Sequence, residues 1–173
     1  MRFTVVEVFL TDHWPLKGLD LRGREVLDIG AYIGDTALYF LAHGAKRVVA
    51  VEPHPAAYKE MMKNLELNNV KDRVVPINAA VGGSKGYTKI PIDISVSDAG
   101  GMNALRYRDE TTSGSYVEVP IVVLEDLMGY LEEPYMIKLD CKGCEAEILH
   151  KSSDRLRMFQ AILMEYTDML RLP

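Results

Sequence analysis

The chain has 173 residues, of which 48% are hydrophobic and 26% are charged, and its formal net charge is −5. A chain of this length and composition suits one globular domain with a sizeable core. The negative charge argues against a broad nucleic-acid-binding surface. No stretch reaches the roughly 18–20 apolar residues of a membrane span, and the first residues lack a signal-peptide pattern, so we expect a cytoplasmic location.

The N-terminal arm, residues 1–23, is predicted to be a strand and a connector that precede the main domain, residues 24–173. Arg2–Leu10 is rich in β-branched and aromatic residues, and Asp12–Gly23 contains proline and glycine. We expect the arm to cover part of a ligand pocket or to lie along a sheet edge. Trp14 in this arm is predicted to be a packing anchor.

A strand, a glycine turn, a helix and a second strand are predicted in the first third of the chain. The segments are Val26–Ile29, Gly30 with Gly34, a helix that Asp35 and Thr36 open and Gly44 ends, and Arg47–Val51. An apolar strand that stops at glycines indicates backbone that must come close to another group. The four segments together form a βαβ unit, whose ligand site lies at the carboxyl ends of its strands.

Glu52 stands at the tip of the second strand, roughly 20 residues after Gly30, which is the distance at which an acid meets ribose hydroxyls. The first hypothesis is therefore a nucleoside-containing cofactor. A dinucleotide site needs G-x-G-x-x-G, whereas this turn has G-x-x-x-G, so pyrophosphate is disfavoured. S-adenosylmethionine fits better, because it has a ribose, a sulfonium and an amino-acid end but no phosphate. The alternative is that the glycines only make a tight turn and Glu52 is solvated.

Neighbouring residues are assigned to the same cofactor. Asp28 supplies negative charge near its cationic end, and the backbone amides near Gly34–Thr36 are placed to take its carboxylate. An amphipathic helix is predicted over Ala56–Leu67, followed by a third strand over Arg73–Ile77. The end of this third strand faces the adenine in such a fold, where Asn78 offers both a donor and an acceptor.

The middle of the chain predicts a hairpin and a long loop. Lys89–Ile94 and Tyr116–Leu124 alternate as paired strands should. Between them, Ser97–Ser115 has no sustained apolar periodicity, and loops of this length are commonly lids or binding loops. Arg106 and Arg108 in this loop either meet an anionic substrate or belong to a solvated charged surface.

The fourth core strand, Tyr135–Leu139, carries Lys138 and is followed by Asp140 on the same face. A central parallel strand is usually apolar on both faces, so two ionisable residues at its C-terminal end indicate a function. The fifth strand, Phe159–Met164, ends at Glu165.

Cys141 and Cys144 form a C-x-x-C pair before a predicted helix, Glu145–Leu149. One such pair supplies two of the four ligands of a structural zinc site, and the sequence has no second pair, so we expect no metal centre. Redox dithiols of the thioredoxin type follow the first strand of their fold, whereas this pair follows a late strand. We therefore expect two reduced thiols at a helix start.

Four segments resemble the FkbM family of S-adenosylmethionine-dependent methyltransferases: VLDIGAYIGDTALYF, VVAVEPHPAAYKEMMKNLELNN, IKLDCKGCEAEIL and ILMEY. The third is the most specific, because the family motif is similar to I-K-I-D-V-E-G-x-E. This chain matches the motif at four positions, Lys138, Asp140, Gly143 and Glu145. Lys142 stands where the family usually has an acid, so substrate or metal preference is expected to differ.

The resemblance implies an α/β, Rossmann-like class I methyltransferase fold, with a mostly parallel sheet and helices on both faces. It also implies cofactor contacts at Gly30, Ala31, Gly34 and Glu52, and O-methylation of a small molecule or sugar. With the arguments above, the candidate cofactor-binding residues are Asp28, Gly30, Ala31, Gly34, Asp35, Thr36, Glu52, Pro53, Asn78 and Ala79.

The full methyltransferase sheet ends in an antiparallel hairpin, and too few residues follow the fifth strand here to supply it. We expect a sheet shortened at the C-terminus. Either the hairpin near Lys89 and Tyr116 extends the other edge of the sheet, or a partner subunit covers the fifth strand. We favour a homodimer that pairs at this edge.

Methyl transfer is an in-line displacement, so the protein must align the acceptor and remove its proton if the acceptor is a hydroxyl. Our hypothesis is that Asp140 positions or deprotonates the acceptor, that Lys138 holds Asp140 or orients the substrate, and that Glu165 lies across the pocket. The alternative for Asp140 is a helix N-cap or a contact to the amino group of the cofactor.

Three other functions stay open. The first half also resembles tRNA guanine methyltransferases, although the acidic balance and the absence of an N-P-P-Y-like motif argue against nucleic acid. The missing third glycine argues against a nicotinamide-dependent oxidoreductase. A non-catalytic cofactor-binding protein is compatible with Lys142 and with the short C-terminus.

Overall fold

The computed structural model describes residues 3–11, 13–93, 95–96, 100–107 and 114–165. The helices are α1 (Phe3–Leu10), α2 (Asp35–Ala42), α3 (Pro55–Leu67), α4 (Leu124–Met128), α5 (Cys144–Lys151) and α6 (Ser153–Leu156). The strands are β1 (Glu25–Ile29), β2 (Arg47–Val51), β3 (Val74–Ile77), β4 (Ala80–Val81), β5 (Gly86–Pro91), β6 (Tyr116–Val122), β7 (Pro134–Leu139) and β8 (Ala161–Met164). Among the helices within these ranges, none is long and apolar enough to cross a membrane.

Five strands form a parallel sheet in the order β3-β2-β1-β7-β8. In the centre of this sheet, Asp28 of β1 is in register with Ala50 of β2 on one side and with Lys138 of β7 on the other. All five carboxyl ends therefore lie at one edge, with β1 in the middle. The predicted Rossmann-like α/β fold is confirmed.

Helices cover both faces of the sheet. Successive strand residues point to opposite sides, so each face presents its own set of apolar side chains to the helices. On one face, Val26 and Val48 belong to a core cluster with Phe40 of α2 and Met61 of α3. On the other face, the next residues along the strands pack with side chains of α4, α5 and α6, namely Leu124, Ile148 and Leu156. The sheet is thus buried on both sides, as a parallel sheet requires.

The predicted hairpin forms a second, three-stranded sheet in the order β4-β6-β5. β5 and β6 are antiparallel, with Gly86 opposite Ile121 and Pro91 opposite Tyr116, whereas β4 pairs with β6 in parallel. The hairpin does not extend the main sheet, because its strand β6 lies between β4 and β5 in this separate sheet. Ile94, the predicted end of the first hairpin strand, lies outside the described residues.

The described part of the N-terminal arm contains the helix α1, so the predicted strand over Arg2–Leu10 is wrong. Thr4 and Val8 lie one helical turn apart, and both line the cavity described below. Packing against α2 and the cavity therefore overrides the strand preference of the β-branched residues. Trp14 is 5% exposed and belongs to the core, which confirms it as a packing anchor.

Candidate functional site

A cavity of about 270 Å³ opens at the carboxyl ends of β1, β2 and β7. Its volume is slightly below the roughly 300–1,000 Å³ that is usual for small-molecule sites. The walls come from five parts of the chain: the N-terminal arm, the turn after β1, residues 79–81, the segment 100–107, and the ends of β2, β7 and β8. This is the edge at which open α/β sheets bind ligands.

The turn after β1 needs glycine at two positions. Gly30 has a φ of +80°, and a Cβ atom there would overlap the backbone carbonyl oxygen of Asp140. Gly34 has a φ of +83°, and a Cβ atom there would lie 2.8 Å from Cγ of Met61. The turn therefore passes directly against the end of β7, so the predicted cofactor turn and the predicted catalytic residue share one site.

A buried ammonium group joins the turn to β7. Nζ of Lys138 donates hydrogen bonds to Asp28 Oδ1 and to the carbonyl oxygen of Gly30, both at 3.0 Å. It also lies 5.0 Å from the ring centroid of Trp14 and 3.8 Å from Asp140 Oδ2. Burial acts to lower the pKa of Lys138, but the carboxylates of Asp28 and Asp140 act more strongly in the opposite direction. The pKa therefore lies above its ordinary value, and the group stays charged.

Glu52 is buried at the tip of β2, where backbone groups hold its carboxylate. It accepts hydrogen bonds from the N–H groups of Tyr32 and His54, both at 2.8 Å. Burial raises the pKa of Glu52 to about 7, although the two N–H groups act in the opposite direction. The side-chain amide of Asn78 donates to the carbonyl oxygens of Glu52 and Pro53, at 2.8 and 3.1 Å. Glu52 thus lines the cavity as an acid that ionises near neutral pH.

Two carboxylates meet at the other end of the cavity through one lysine. Nζ of Lys142 lies 2.8 Å from Asp140 Oδ1 and 2.7 Å from Glu165 Oε1. Nε2 of His13 lies 3.7 Å from the second oxygen of Glu165. Burial opposes the ionisation of Asp140, but the ammonium groups of Lys138 and Lys142 hold its pKa below the usual range. Asp140 is therefore a charged carboxylate at the cavity wall.

A tight turn after β7 presents Lys142. The carboxylate of Glu145 accepts three backbone N–H groups, from Cys141 at 2.8 Å, Lys142 at 3.0 Å and Gly143 at 2.7 Å. A disulfide joins Cys141 to Cys144, so the expectation of two reduced thiols is wrong. The turn places their Cα atoms 5.5 Å apart, which is a bridging distance.

The three predicted catalytic residues, Lys138, Asp140 and Glu165, line the same cavity. Among the cofactor candidates, those that line it are Gly30, Asp35, Thr36, Glu52, Pro53 and Ala79. Those that lie behind its wall are Asp28, Ala31, Gly34 and Asn78. Asp28 is fully buried and accepts hydrogen bonds from Lys138 and from the hydroxyl of Thr36, so its charge supports the site rather than facing a ligand.

Burial also raises the pKa of Asp35 at the start of α2. This carboxylate accepts a hydrogen bond from the N–H of Thr36 at 3.0 Å, and the N–H of Gly34 donates to the carbonyl oxygen of Ala31 at 2.7 Å. Two of the amides that the sequence assigned to the cofactor therefore have internal partners. The helix start is therefore only partly available to an anionic ligand.

The sequence interpretation missed several wall residues. The hydroxyl of Tyr32 donates to the carbonyl oxygen of Val96 at 2.8 Å, and a Cβ atom on Gly100 would contact the Tyr32 ring at 3.4 Å. Tyr32 thus ties the segment after β5 to the glycine turn, and an aromatic residue inside a glycine turn was the available signal. Arg106 is exposed and is not part of the wall, and Arg108 lies outside the described residues.

Within the described ranges, no group of three or more histidine, cysteine, aspartate or glutamate side chains is arranged to hold a metal ion. Asp140 and Glu165 do converge, but the cation between them is the ammonium group of Lys142.

The fold and the site define a Rossmann-like domain with a glycine turn and a cavity at the carboxyl ends of its strands, the class that includes the methyltransferases. Residues 28–170 match the methyltransferase FkbM domain, so the chain belongs to the FkbM methyltransferase family. The resemblance that the sequence motifs carry is therefore confirmed.

A crystal structure of methyltransferase FkbM from Methylobacillus flagellatus KT shares the fold, with a TM-score of 0.56 and 17% identity over 83% of this chain and 33% of that chain. Ribosomal protein L11 methyltransferases of Colwellia psychrerythraea and Alteromonas mediterranea are each 41% identical over 59 residues. The matched part is 34% of this chain and 20% of each of those proteins.

Proposed function

We propose that the protein transfers a methyl group from S-adenosylmethionine to a hydroxyl group of a small molecule or sugar. One observation carries this proposal: a glycine turn, a buried acid at the tip of β2 and the carboxylate of Asp140 converge on one cavity. Membership of the FkbM family supports methyl transfer, and the chemistry of the cavity wall supports a hydroxyl acceptor.

Glu52 and Gly30 fit a nucleoside cofactor without a pyrophosphate. The carboxylate of Glu52 accepts hydrogen bonds from ribose hydroxyls once it is ionised, and its pKa of about 7 makes this form available at neutral pH. Gly30 leaves the backbone bare where a Cβ atom has no room. S-adenosylmethionine supplies an electrophilic methyl carbon when it is bound. The wall residues hold and orient it and exclude water.

Asp140 is the group that takes the proton from the acceptor. It is charged, it lies at the carboxyl end of β7, and the glycine turn touches its backbone. A positioned carboxylate within hydrogen-bond reach of a hydroxyl acts as a general base. An amine acceptor would bring its own ammonium group to the two carboxylates, but Lys142 already takes that place. The site therefore favours a neutral hydroxyl.

The cofactor is tested by calorimetric titration of the purified protein with S-adenosylmethionine and, separately, with NADH. We expect micromolar binding of S-adenosylmethionine, no binding of NADH, and at least tenfold weaker binding of S-adenosylmethionine to Glu52→Ala. The matched control is Glu118→Ala, an exposed acid on β6 that is not part of the cavity wall. Equal affinities for the two variants would remove Glu52 from the cofactor site.

Catalysis is tested with methyl-labelled S-adenosylmethionine and a panel of sugars and small hydroxyl compounds. Replacing Asp140 with Asn should reduce label transfer by about a hundredfold or more, the usual contribution of a general base, while cofactor affinity is retained. Undiminished transfer by the variant would exclude Asp140 as the base.

The panel also separates the rival functions. Binding of S-adenosylmethionine without transfer to any hydroxyl compound would favour a non-catalytic cofactor-binding protein. Labelling of tRNA, with a binding affinity that falls steeply with salt, would favour a nucleic-acid methyltransferase.

We also propose that two copies of the chain form a homodimer by pairing at the β8 edge. Ile162 is 44% exposed and Met164 is 38% exposed on this strand. An apolar edge strand is a ready template for pairing with another chain. Sedimentation of the wild type and of Ile162→Lys tests this, since the wild type should be dimeric and the variant monomeric.

A further inference from the structure

The ammonium group of Lys142 is shared by two carboxylates that come from different strands. Asp140 follows β7, and Glu165 follows the neighbouring strand β8. Their oxygens lie 2.8 and 2.7 Å from the same nitrogen atom, so the two carboxylates are close to each other as well. The side chain of Lys142 is only 23% exposed. One partly buried cation thus separates two partly buried anions.

The backbone holds Lys142 in this position. Lys142 has a φ of +53°, in the left-handed region that non-glycine residues seldom adopt. The three N–H contacts of Glu145 fix the turn, and the disulfide between Cys141 and Cys144 encloses it. A Cβ atom on Gly143 would overlap the side chain of Asn103, so the segment 100–107 packs against the turn from the other side.

Few other charges reach this pair of acids. Lys138 lies 3.8 Å from the second oxygen of Asp140, but its closest carboxylate is that of Asp28 at 3.0 Å. His13 lies 3.7 Å from the second oxygen of Glu165. The remaining acids of the cavity wall are Glu7, Asp35 and Glu52. These acids add negative charge and cannot replace the ammonium group of Lys142.

Two carboxylates that share a partly buried site repel each other, and without Lys142 only the more distant ammonium group of Lys138 would offset that repulsion at Asp140. The two carboxyl groups would then titrate as a coupled pair, and the protonated form of Asp140 would be favoured more than it is beside Lys142. A protonated Asp140 cannot accept a proton from the acceptor hydroxyl. Together with Lys138, Lys142 therefore favours the ionised form of Asp140, which is the form that can act as the base.

We propose that Lys142 is a positioning residue, which stabilises the ionised form of Asp140 and fixes its separation from Glu165, so that Asp140 is ready to act as the base. The inference rests on the proposed function for the role of Asp140, but its electrostatic part does not depend on any ligand. It assigns a role to the position at which this chain departs from the family motif. The pKa of Lys142 lies above its ordinary value, because Asp140 and Glu165 outweigh the opposing effect of burial.

The test follows the carboxyl carbon resonances of Asp140 and Glu165 from pH 3 to pH 9 in ¹³C-labelled protein without cofactor. The resonances are assigned with Asp140→Asn and Glu165→Gln. In the wild type, the carboxyl group of Asp140 should titrate below its ordinary range. In Lys142→Met, one of the two should titrate about one pH unit or more higher. Lys142→Arg, which keeps the charge, should titrate as the wild type does.

A double variant, Lys142→Met with Glu165→Gln, distinguishes the loss of the ammonium charge from a change in the shape of the site. It removes the like charge together with the cation, so Asp140 should return towards its ordinary titration. Lys142→Gln replaces Lys142→Met if the latter does not fold. Unchanged titration of both carboxyl groups in the single variant would overturn the proposal, as would an upward shift in Lys142→Arg.

The same proteins are titrated with S-adenosylmethionine to separate this inference from the proposed function. Cofactor affinity of Lys142→Met should stay within about twofold of the wild type, because Lys142 lies at the acceptor end of the cavity. If the wild type does not bind S-adenosylmethionine, the proposed function is overturned. The carboxyl titration would then still test whether Lys142 controls the ionisation of Asp140. A shifted titration with normal cofactor binding supports both.

Discussion

The charged side chains of this site are buried or half-buried, so the electrostatic interactions between them determine its properties. The sequence predicted Lys138 and Asp140 as functional because a central parallel strand is otherwise apolar. It also predicted that Lys138 holds Asp140 or orients the substrate, but it did not predict that Lys138 pairs with Asp28 or that Lys142 lies between Asp140 and Glu165. The register that sets Asp28 beside Lys138, and the strand order that brings Glu165 beside Lys142, join residues that are far apart along the chain. No local pattern contains that information.

Lys138 should be essential for stability. Replacing it with Met leaves the carboxylate of Asp28 fully buried without its cation, and breaking a buried pair in this way costs about 3–5 kcal/mol. Unfolding in urea measures the loss. The control is Lys85→Met, which removes an exposed partner of Asp126 and should cost less than about 1 kcal/mol.

The double variant Asp28→Asn with Lys138→Met removes both charges. It should recover part of the stability that Lys138→Met loses, because no uncompensated buried charge remains. Equal losses for Lys138→Met and Lys85→Met would show that the buried pair is not important for stability.

Glu52 should make the free protein less stable as the pH rises. Its pKa is about 7 in the folded protein against an ordinary value of 4.5, so the folded state binds the proton more tightly than the unfolded state. The contribution is fully present below pH 4.5 and is lost as the pH rises through about 7. The shift corresponds to about 3 kcal/mol.

The difference in unfolding free energy between the wild type and Glu52→Gln, measured from pH 4.5 to pH 8, isolates this effect. The wild type should lose stability relative to the variant as the pH rises. Gln leaves one of the two N–H groups, of Tyr32 or His54, without its acceptor, which lowers stability by a constant amount but adds no titration. Parallel curves for the two proteins would contradict the assigned pKa.

At the scale of elements, the sequence predicted what hydrophobic period and glycine spacing can encode. The structure has the βαβ unit, the helix α3 and the strands β7 and β8 close to the positions that the sequence predicted. The helix α1 was missed, because its β-branched residues favour a strand and its helical pattern becomes meaningful only once α2 and the cavity are in place. The disulfide was missed because a C-x-x-C pair is ambiguous without the geometry of the turn.

The glycine turn should tolerate no side chain at Gly30. Gly30→Ala combines an unfavourable φ of +80° with an overlap of Cβ and the backbone carbonyl oxygen of Asp140. Gly18→Ala is the matched control, since its φ is +83° and nothing lies within 4 Å of the added Cβ. Gly18→Ala should cost about 1–2 kcal/mol, the penalty for the backbone conformation alone.

Gly30→Ala should cost clearly more than Gly18→Ala and should also weaken S-adenosylmethionine binding. Both quantities are read from urea unfolding and calorimetry of the two variants. If the two variants were equally stable and bound the cofactor equally well, the close approach of the turn to β7 would have no energetic consequence.

At the scale of the whole molecule, the cavity exists only because distant segments converge. α1, the turn after β1, the tip of β2, the segment 100–107 and the turn after β7 each contribute part of its wall. The parallel sheet supplies this convergence, because it places all the carboxyl ends at one edge. The sequence predicted the edge, and it also predicted that the arm covers part of a pocket or lies along a sheet edge and that the loop Ser97–Ser115 is a lid or binding loop. Residues of both segments line the cavity. The sequence did not predict that the arm forms the helix α1, because that helix depends on long-range contacts.

Cofactor binding should therefore protect separate segments together. Hydrogen exchange of backbone amides, measured with and without saturating S-adenosylmethionine, should slow in α1, in residues 30–36, in the segment 100–107 and in residues 140–144. The helices α4 and α6 contribute no residue to the wall and serve as the internal control. Their exchange should change little.

The pattern distinguishes a shared site from general stabilisation. Binding to the native state alone slows all exchange that needs global unfolding, so α4 and α6 would slow as much as the wall if that were the only effect. Protection concentrated in the wall segments shows that the ligand closes local openings there. Protection confined to residues 30–36 would mean that α1 and the turn after β7 do not respond to the cofactor. In that case the cavity would not act as one site.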